Sequence, residues 1–136
     1  KEKRDRVDDA VCATRAALED GILPGGGVAL RDISTKVGSQ KGSCEEDQVA
    51  YAILEKALRA PYNQILSNAG MDFPDVAGQR KGYGINVKTM KGGNMRKLGI
   101  IDPTKVTKSA IVNAISVATT ILSTNAIITN VREGNR

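Results

Sequence analysis

Three long segments of this sequence repeat apolar residues every three or four positions, which is the spacing of one face of an α-helix. They cover residues 6–20, 46–68 and 104–123, and a shorter one runs from residue 28 to about residue 37. Aromatic residues make up only 3% of the 136 residues, so Ala, Val, Ile and Leu must fill the core. Such side chains suit closely packed helices, and the sequence therefore predicts a mainly α-helical fold.

Glycine and proline set the expected ends of these helices. Gly21 follows the first helix and fits a C′ position, and Pro24 forbids simple continuation. Pro61 lies inside the segment 46–68, where it should kink the helix or split it in two. The sequence Asn68-Ala69-Gly70 then predicts the end of that helix.

The last helix has the strongest apolar pattern. Asp102 is predicted as its N-cap and Pro103 as its first residue. Apolar residues in 104–123 recur at both three- and four-residue spacing, so we expect this helix to be buried on several sides.

The other segments predict smaller elements. We expect a hairpin near residues 83–87, short helices near 74–78 and 92–99, and a strand over 126–131 with no matching strand in the chain. The predicted fold is thus a helical bundle with a small β-hairpin and a C-terminal β-strand.

Composition excludes several classes of function. The net charge is +5, but acids and bases alternate near the start and few aromatic rings are present for base stacking, so we expect no nucleic-acid partner. There is no His, and Cys12 and Cys44 have no metal-ligand spacing, which excludes His-based acid–base chemistry and most zinc sites. No metal ligand is predicted. No apolar run approaches the ~20 residues of a membrane span, so we expect no membrane partner.

The run Gly25-Gly26-Gly27 stands between two predicted helices and allows three interpretations. It can be a plain turn, a tight contact between helices, or a loop that lets an anion approach the start of the second helix. It matches neither the Walker A pattern nor GxGxxG. The local pattern leaves all three open.

Four polar residues are candidates for chemistry. Asp8 and Asp9 near the start of the first helix can interact with the helix dipole, or one of them can orient a water for phosphoryl transfer. Asp102 can be an N-cap or can hold a ribose hydroxyl, and Asn86 can be a turn residue or can read a base.

Taken together, three blocks resemble a known family. They are RVDDAVCATRAALEDGILPGGGVAL, EDQVAYAILEKALRAPYNQILSNAG and NMRKLGIIDPTKVTKSAIVNAISVATTIL. Their order and motifs resemble the group I chaperonins (GroEL type) over essentially the whole chain.

The resemblance implies a domain organisation. Residues 1–19 would be a helix of the intermediate domain, in the segment that returns to the equatorial domain. Residues 20–136 would be the C-terminal half of that equatorial domain, which binds ATP in this family. The chain is therefore expected to be the later part of a longer protein.

The resemblance also implies roles for single residues. Asp9 would be the catalytic carboxylate that positions the attacking water, and Gly25, Gly26 and Gly27 would lie against the nucleotide. On the adenosine side, the implied contacts are Asn86 and Val87 beside the adenine, Ile100 on the base and Asp102 on the ribose. Val87-Lys88 stand where the family has small residues.

The rest of the implied machinery lies elsewhere. The phosphate loop, the residues that hold Mg²⁺ and K⁺, and the client-binding domain would belong to earlier sequence, so we expect no ATP hydrolysis by this chain alone. The implied partners are identical subunits in a heptameric double ring, a co-chaperonin and unfolded client proteins, in a bacterial cytoplasm or an organelle matrix or stroma. The alternative is a non-catalytic helical binding module or a stable fragment derived from a chaperonin.

Overall fold

A computed structural model describes residues 2–71, 80–126 and 128 of the chain. The helices are α1 (Glu2–Asp20), α2 (Val28–Gly38), α3 (Glu45–Asn68) and α4 (Thr104–Leu122). The strands are β1 (Ile22–Pro24), β2 (Tyr83–Asn86), β3 (Lys91–Asn94) and β4 (Ile101–Pro103). The fold is mainly α-helical, as the apolar spacing predicts.

The helix ends follow the predicted glycines. Gly21 has φ +80° and its N–H donates to the carbonyl of Ala17 at 2.9 Å, which closes α1. Gly70 has φ +72° and performs the same role after α3. Pro61 does not split α3, which runs as one helix from Glu45 to Asn68.

The strands form two antiparallel pairs. β2 and β3 make the predicted hairpin, with Tyr83 opposite Asn94. β1 pairs with β4, with Leu23 opposite Asp102, and this pair was not expected from the sequence. It joins the end of α1 to the start of α4.

Two predictions in this region are wrong. Residues 92–99 do not form a short helix, because 91–94 are strand β3 and 95–99 are a turn. Gly92 and Gly93 are poor helix formers, and here they pair with Ile85 and Gly84 across the hairpin.

The second wrong prediction is that Asp102 is the N-cap of α4. Pairing with β1 keeps residues 101–103 extended, so Pro103 takes the N-cap position with ψ 131° and the helix starts at Thr104. The N–H of Thr104 donates to the carbonyl of Gly21 at 3.0 Å, which ties the two helices together beside the strand pair.

The buried core lies where the start of α2, the end of α3 and the hairpin meet. Its buried side chains are those of Val28, Tyr62, Leu66, Met71 and Met95. This cluster supports the loop between β1 and α2.

Helix α4 is not buried on several sides in this chain. It packs against α1 and β4, and none of its residues is buried. Val112 is 58% exposed and Leu122 is 83% exposed. The apolar residues that the pattern of α4 predicts are present on its surface, but the other described residues of the chain cover little of that surface.

Two predicted elements cannot be compared with the structure. The short helix near residues 74–78 lies outside the described residues, as does most of the strand predicted over 126–131. Among the helices that the structure describes, none has the length and apolar character to cross a membrane.

Candidate functional site

The candidate site is built around the loop Gly25–Gly27, here called the glycine loop, between β1 and α2. The N–H of Gly25 donates to the carbonyl of Ile100 at 2.9 Å. A Cβ on Gly25 would lie 3.0 Å from the nitrogen of Ile101 and 3.1 Å from the carbonyl carbon of Ile100. The backbone before Asp102 therefore leaves little room for a side chain at position 25.

The next two glycines turn the chain into α2. Gly26 and Gly27 have φ +66° and +76°, a conformation that costs other residues energy. A Cβ on Gly27 would lie 2.8 Å from the nitrogen of Tyr62, so the start of α2 crosses α3 at very close range. The turn and packing interpretations of the triplet are therefore both correct, and approach of an anion stays a prediction.

Asp102 lies directly beside the glycine loop. The backbone N–H of Gly26 acts on the Asp102 carboxyl and lowers its pKa, but partial burial has the larger effect and raises the pKa above its ordinary value. A carboxylate has about four lone-pair positions, so Asp102 can accept further hydrogen bonds from a ligand.

Ile100 completes the cluster. It is half-buried against the core, and its N–H donates to the carbonyl of Met95 at 2.9 Å. Its Cγ2 would lie 3.9 Å from a Cβ on Gly26. The structure thus brings together the glycine loop, Ile100 and Asp102, which are five of the predicted site residues.

Asn86 and Val87 lie at the far end of the hairpin. Asn86 Oδ1 accepts the N–H of Lys88 at 3.0 Å, and the Asn86 carbonyl accepts the N–H of Thr89 at 3.1 Å. Asn86 is therefore a turn residue. It is two residues beyond Gly84, or about 7 Å along the strand, and Gly84 is the point where the hairpin packs on Val28.

Asp9 is exposed on α1, far from the glycine loop along the chain. It precedes the last residue of α1, Asp20, by a rise of about 16 Å along the helix axis. No hydrogen bond or ion pair joins the side chain of Asp9 to another residue within the described part of the chain. Over those same residues there is no group of three or more potential metal ligands among Cys, Asp and Glu.

The sequence patterns did not single out Arg31 and Asp32. Both side chains are 13% exposed, and they form an ion pair of 2.7 Å on α2. The N–H of Gly82 at the base of the hairpin donates to Asp32 Oδ2 at 2.6 Å. Helical spacing could have identified Asp32, because position 32 is four residues after the buried Val28 and so lies on the same face of α2.

Comparison with protein-family models gives a match over residues 1–132 to the TCP-1/cpn60 chaperonin family. The match covers nearly the whole chain and confirms the chaperonin resemblance of the three sequence blocks. Members of this family are chaperones in protein folding that assemble into oligomeric rings and act on client proteins. The chain therefore belongs to the TCP-1/cpn60 chaperonin family.

Proposed function

We propose that the chain is part of an ATP-dependent group I chaperonin and that its glycine loop, Ile100 and Asp102 form the adenosine side of the nucleotide pocket. The observation that carries this proposal is the pairing of β1 with β4, which sets Leu23 opposite Asp102 and lets the N–H of Gly25 donate to the carbonyl of Ile100 at 2.9 Å. It places a carboxylate with free acceptor positions at the edge of a loop that has no side chains.

Each residue has a chemical task in this pocket. Asp102 would accept hydrogen bonds from ribose hydroxyls, which would offset the burial that raises its pKa. Ile100 offers an apolar side chain to the base, and the glycine loop permits close approach of its backbone. Asn86 and Val87 would border the adenine from the hairpin side.

Asp9 is proposed as the catalytic carboxylate. Its exposed position on α1 leaves it able to accept a hydrogen bond from a water that attacks the terminal phosphorus of ATP. Bound ATP would supply the free energy for the conformational cycle of the ring. The phosphate, Mg²⁺ and K⁺ contacts are proposed to come from residues outside this chain, so the chain alone should not hydrolyse ATP.

The remaining parts of the proposal concern assembly. Residues 1–19 would belong to the intermediate domain and residues 20–136 to the equatorial domain of a subunit in a heptameric double ring. That ring would use a co-chaperonin, enclose unfolded client proteins and work in a bacterial cytoplasm or an organelle matrix. The exposed apolar side chains of α1 and α4 support a larger assembly, because such surfaces are usually covered.

The direct test is the affinity of the chain for ADP, measured by isothermal titration calorimetry. Replacement of Asp102 by Ala removes the ribose acceptor and should weaken ADP binding about tenfold, the loss of a charge-assisted hydrogen bond. Asp47→Ala is the matched control, because Asp47 is also a half-buried carboxylate and accepts the N–H of Ser43 at 2.9 Å.

Equal affinities of the wild-type chain and Asp102→Ala would contradict the proposed pocket. Absence of ADP binding by the wild-type chain would favour the alternative, a non-catalytic helical module or fragment. The departure at Val87-Lys88, where a long basic side chain follows the adenine-side residues, is the feature of this sequence that favours that alternative.

A further inference from the structure

We infer that Asp32 is a positioning residue for the nucleotide pocket: it anchors the base of the β2–β3 hairpin to α2 and thereby sets where Ile100 meets the glycine loop. The inference rests on the proposed nucleotide function. It concerns a residue that does not itself touch the predicted ligand.

The anchor is a nearly buried set of hydrogen bonds. Asp32 Oδ2 accepts the N–H of Gly82 at 2.6 Å, and Asp32 Oδ1 accepts Arg31 Nη2 at 2.7 Å and Nε at 3.2 Å. Arg31 Nη2 also donates to the carbonyl of Tyr83 at 2.7 Å. Because the acceptor carboxylate or the donor guanidinium is charged, these bonds are about twice as strong as neutral ones.

Arg31 is itself held from a second side. Its guanidinium lies over the ring of Tyr62, 4.8 Å from the centroid. Tyr62 belongs to the same close crossing of α2 and α3 that requires glycine at position 27. The carboxylate of Asp32 is therefore fixed by the elements that also shape the glycine loop.

A continuous series of backbone hydrogen bonds leads from this anchor to the loop. The carbonyl of Gly82 accepts the N–H of Met95, and the carbonyl of Met95 accepts the N–H of Ile100, both at 2.9 Å. The carbonyl of Ile100 then accepts the N–H of Gly25, also at 2.9 Å. The series thus connects the anchored Gly82 to Gly25 through the peptides of Met95 and Ile100.

The hairpin has little freedom to compensate for a lost anchor. A Cβ on Gly84 would lie 2.5 Å from Val28 Cγ2 and 3.0 Å from Met95 Sδ, so β2 already packs at the limit of approach. Loss of the hydrogen bond from Gly82 to Asp32 should therefore shift the peptides of Met95 and Ile100, because β2 cannot pack more closely to compensate. The affected part of the pocket is the base side, where Ile100, Asn86 and Val87 are proposed to lie.

The test is base selectivity, since a residue that only stabilises the fold would not change it. Affinities for ADP and GDP are measured for the wild-type chain, Asp32→Asn and the control Asp47→Asn. The amide of Asp32→Asn has a single oxygen and cannot accept from both Gly82 and Arg31, as the two oxygens of Asp32 do. The preference for ADP over GDP should therefore fall about five- to tenfold, as expected for loss of roughly one hydrogen bond. Asp47→Asn should keep the wild-type preference.

The outcomes separate the two proposals. If the wild-type chain binds no ADP, the proposed function is wrong and this inference falls with it. If the wild-type chain binds ADP but does not prefer it to GDP, or if Asp32→Asn keeps the full preference, the inference alone is overturned.

A second variant covers the case in which Asp32→Asn unfolds at the assay temperature. Asp32→Glu keeps the charge and the pair with Arg31, but its longer side chain displaces the acceptor for Gly82. A folded Asp32→Glu chain should have a reduced preference for ADP over GDP. Wild-type selectivity in that variant would overturn the inference.

Discussion

The two ends of this molecule use similar apolar helices in opposite ways. Where α2, α3 and the hairpin meet, Val28 is fully buried and Tyr62 and Leu66 are each 3% exposed. Along α1 and α4 no residue is buried, and Leu18 and Leu122 are each 83% exposed. Apolar spacing thus predicts that a helix has an apolar face, but it does not tell whether the same chain covers that face.

The two ends also differ in what joins their helices. At the packed end, α2 and α3 meet where a Cβ on Gly27 would lie 2.8 Å from the nitrogen of Tyr62, and the Arg31 guanidinium lies over the Tyr62 ring. At the open end, an ion pair between Glu19 and Lys105 links α1 to α4, with both side chains more than half exposed. Exposed pairs of that kind add little stability, so stability should be concentrated at the packed end.

Replacement of Gly27 by Ala should have the largest effect. The new Cβ would lie 2.8 Å from the nitrogen of Tyr62, and φ +76° strains any residue with a side chain. Overpacking and backbone strain together predict a loss of about 4 kcal/mol in the free energy of unfolding, measured by urea denaturation.

Gly21→Ala provides the matched control for this substitution. Gly21 has nearly the same φ, +80°, but nothing lies within 4 Å of its Cβ position. Gly21→Ala should therefore lower the free energy of unfolding by the backbone strain alone, about 1 kcal/mol. Equal losses in the two variants would contradict the close crossing of α2 and α3.

Truncation of leucines compares the two ends directly. Leu66→Ala removes a side chain that is 3% exposed and should cost about 3 kcal/mol of unfolding free energy. Leu122→Ala removes one that is 83% exposed and should cost about 0.5 kcal/mol or less. A large loss from Leu122→Ala would show that α4 is covered in solution, for example by a second copy of the chain.

The smallest expected effect is the pH dependence of Asp102. Burial raises the pKa of Asp102 in the folded chain, so the folded state holds this proton more tightly than the unfolded state. The resulting stability is present below the ordinary pKa of 3.8 and is lost as the pH rises through the folded value. Relative to Asp102→Asn, the wild-type chain should therefore become less stable between acid and neutral pH.

Urea denaturation of both proteins at several pH values measures this difference. The Asp102→Asn variant keeps the size of the side chain and one oxygen acceptor, so the comparison isolates the charge. An opposite trend, in which the wild-type chain gains stability over Asp102→Asn as the pH rises, would show that hydrogen bonding outweighs burial at this carboxyl.

Sequence reasoning succeeds for local features of this fold. The helices follow from apolar periodicity. Gly21 ends α1 and Gly70 ends α3, because the left-handed conformation at these positions suits glycine. The hairpin follows from the glycine-rich sequence near Tyr83. These signals lie within a few residues of the elements they define.

Features that depend on distant segments do not follow from local sequence patterns. The strands β1 and β4 have three residues each, too few for a periodic pattern, and they lie far apart in the chain. Their pairing moves Asp102 from the expected N-cap into a strand beside Gly26. The atoms closest to Gly25 and Gly27 likewise belong to β4 and α3, which are distant in sequence. The sequence alone therefore cannot choose the packing role of the glycine loop over a plain turn or an anion site.

The most direct test of the proposed pocket is an NMR titration of the ¹⁵N-labelled chain with ADP. Binding in this pocket should give saturable shifts of the amide signals of the glycine loop, Ile100 and Asp102, with the signals of α1 and the second half of α4 unmoved. No saturable shift at those amides, or the largest shifts in α4, would contradict the assignment of the nucleotide pocket to this loop.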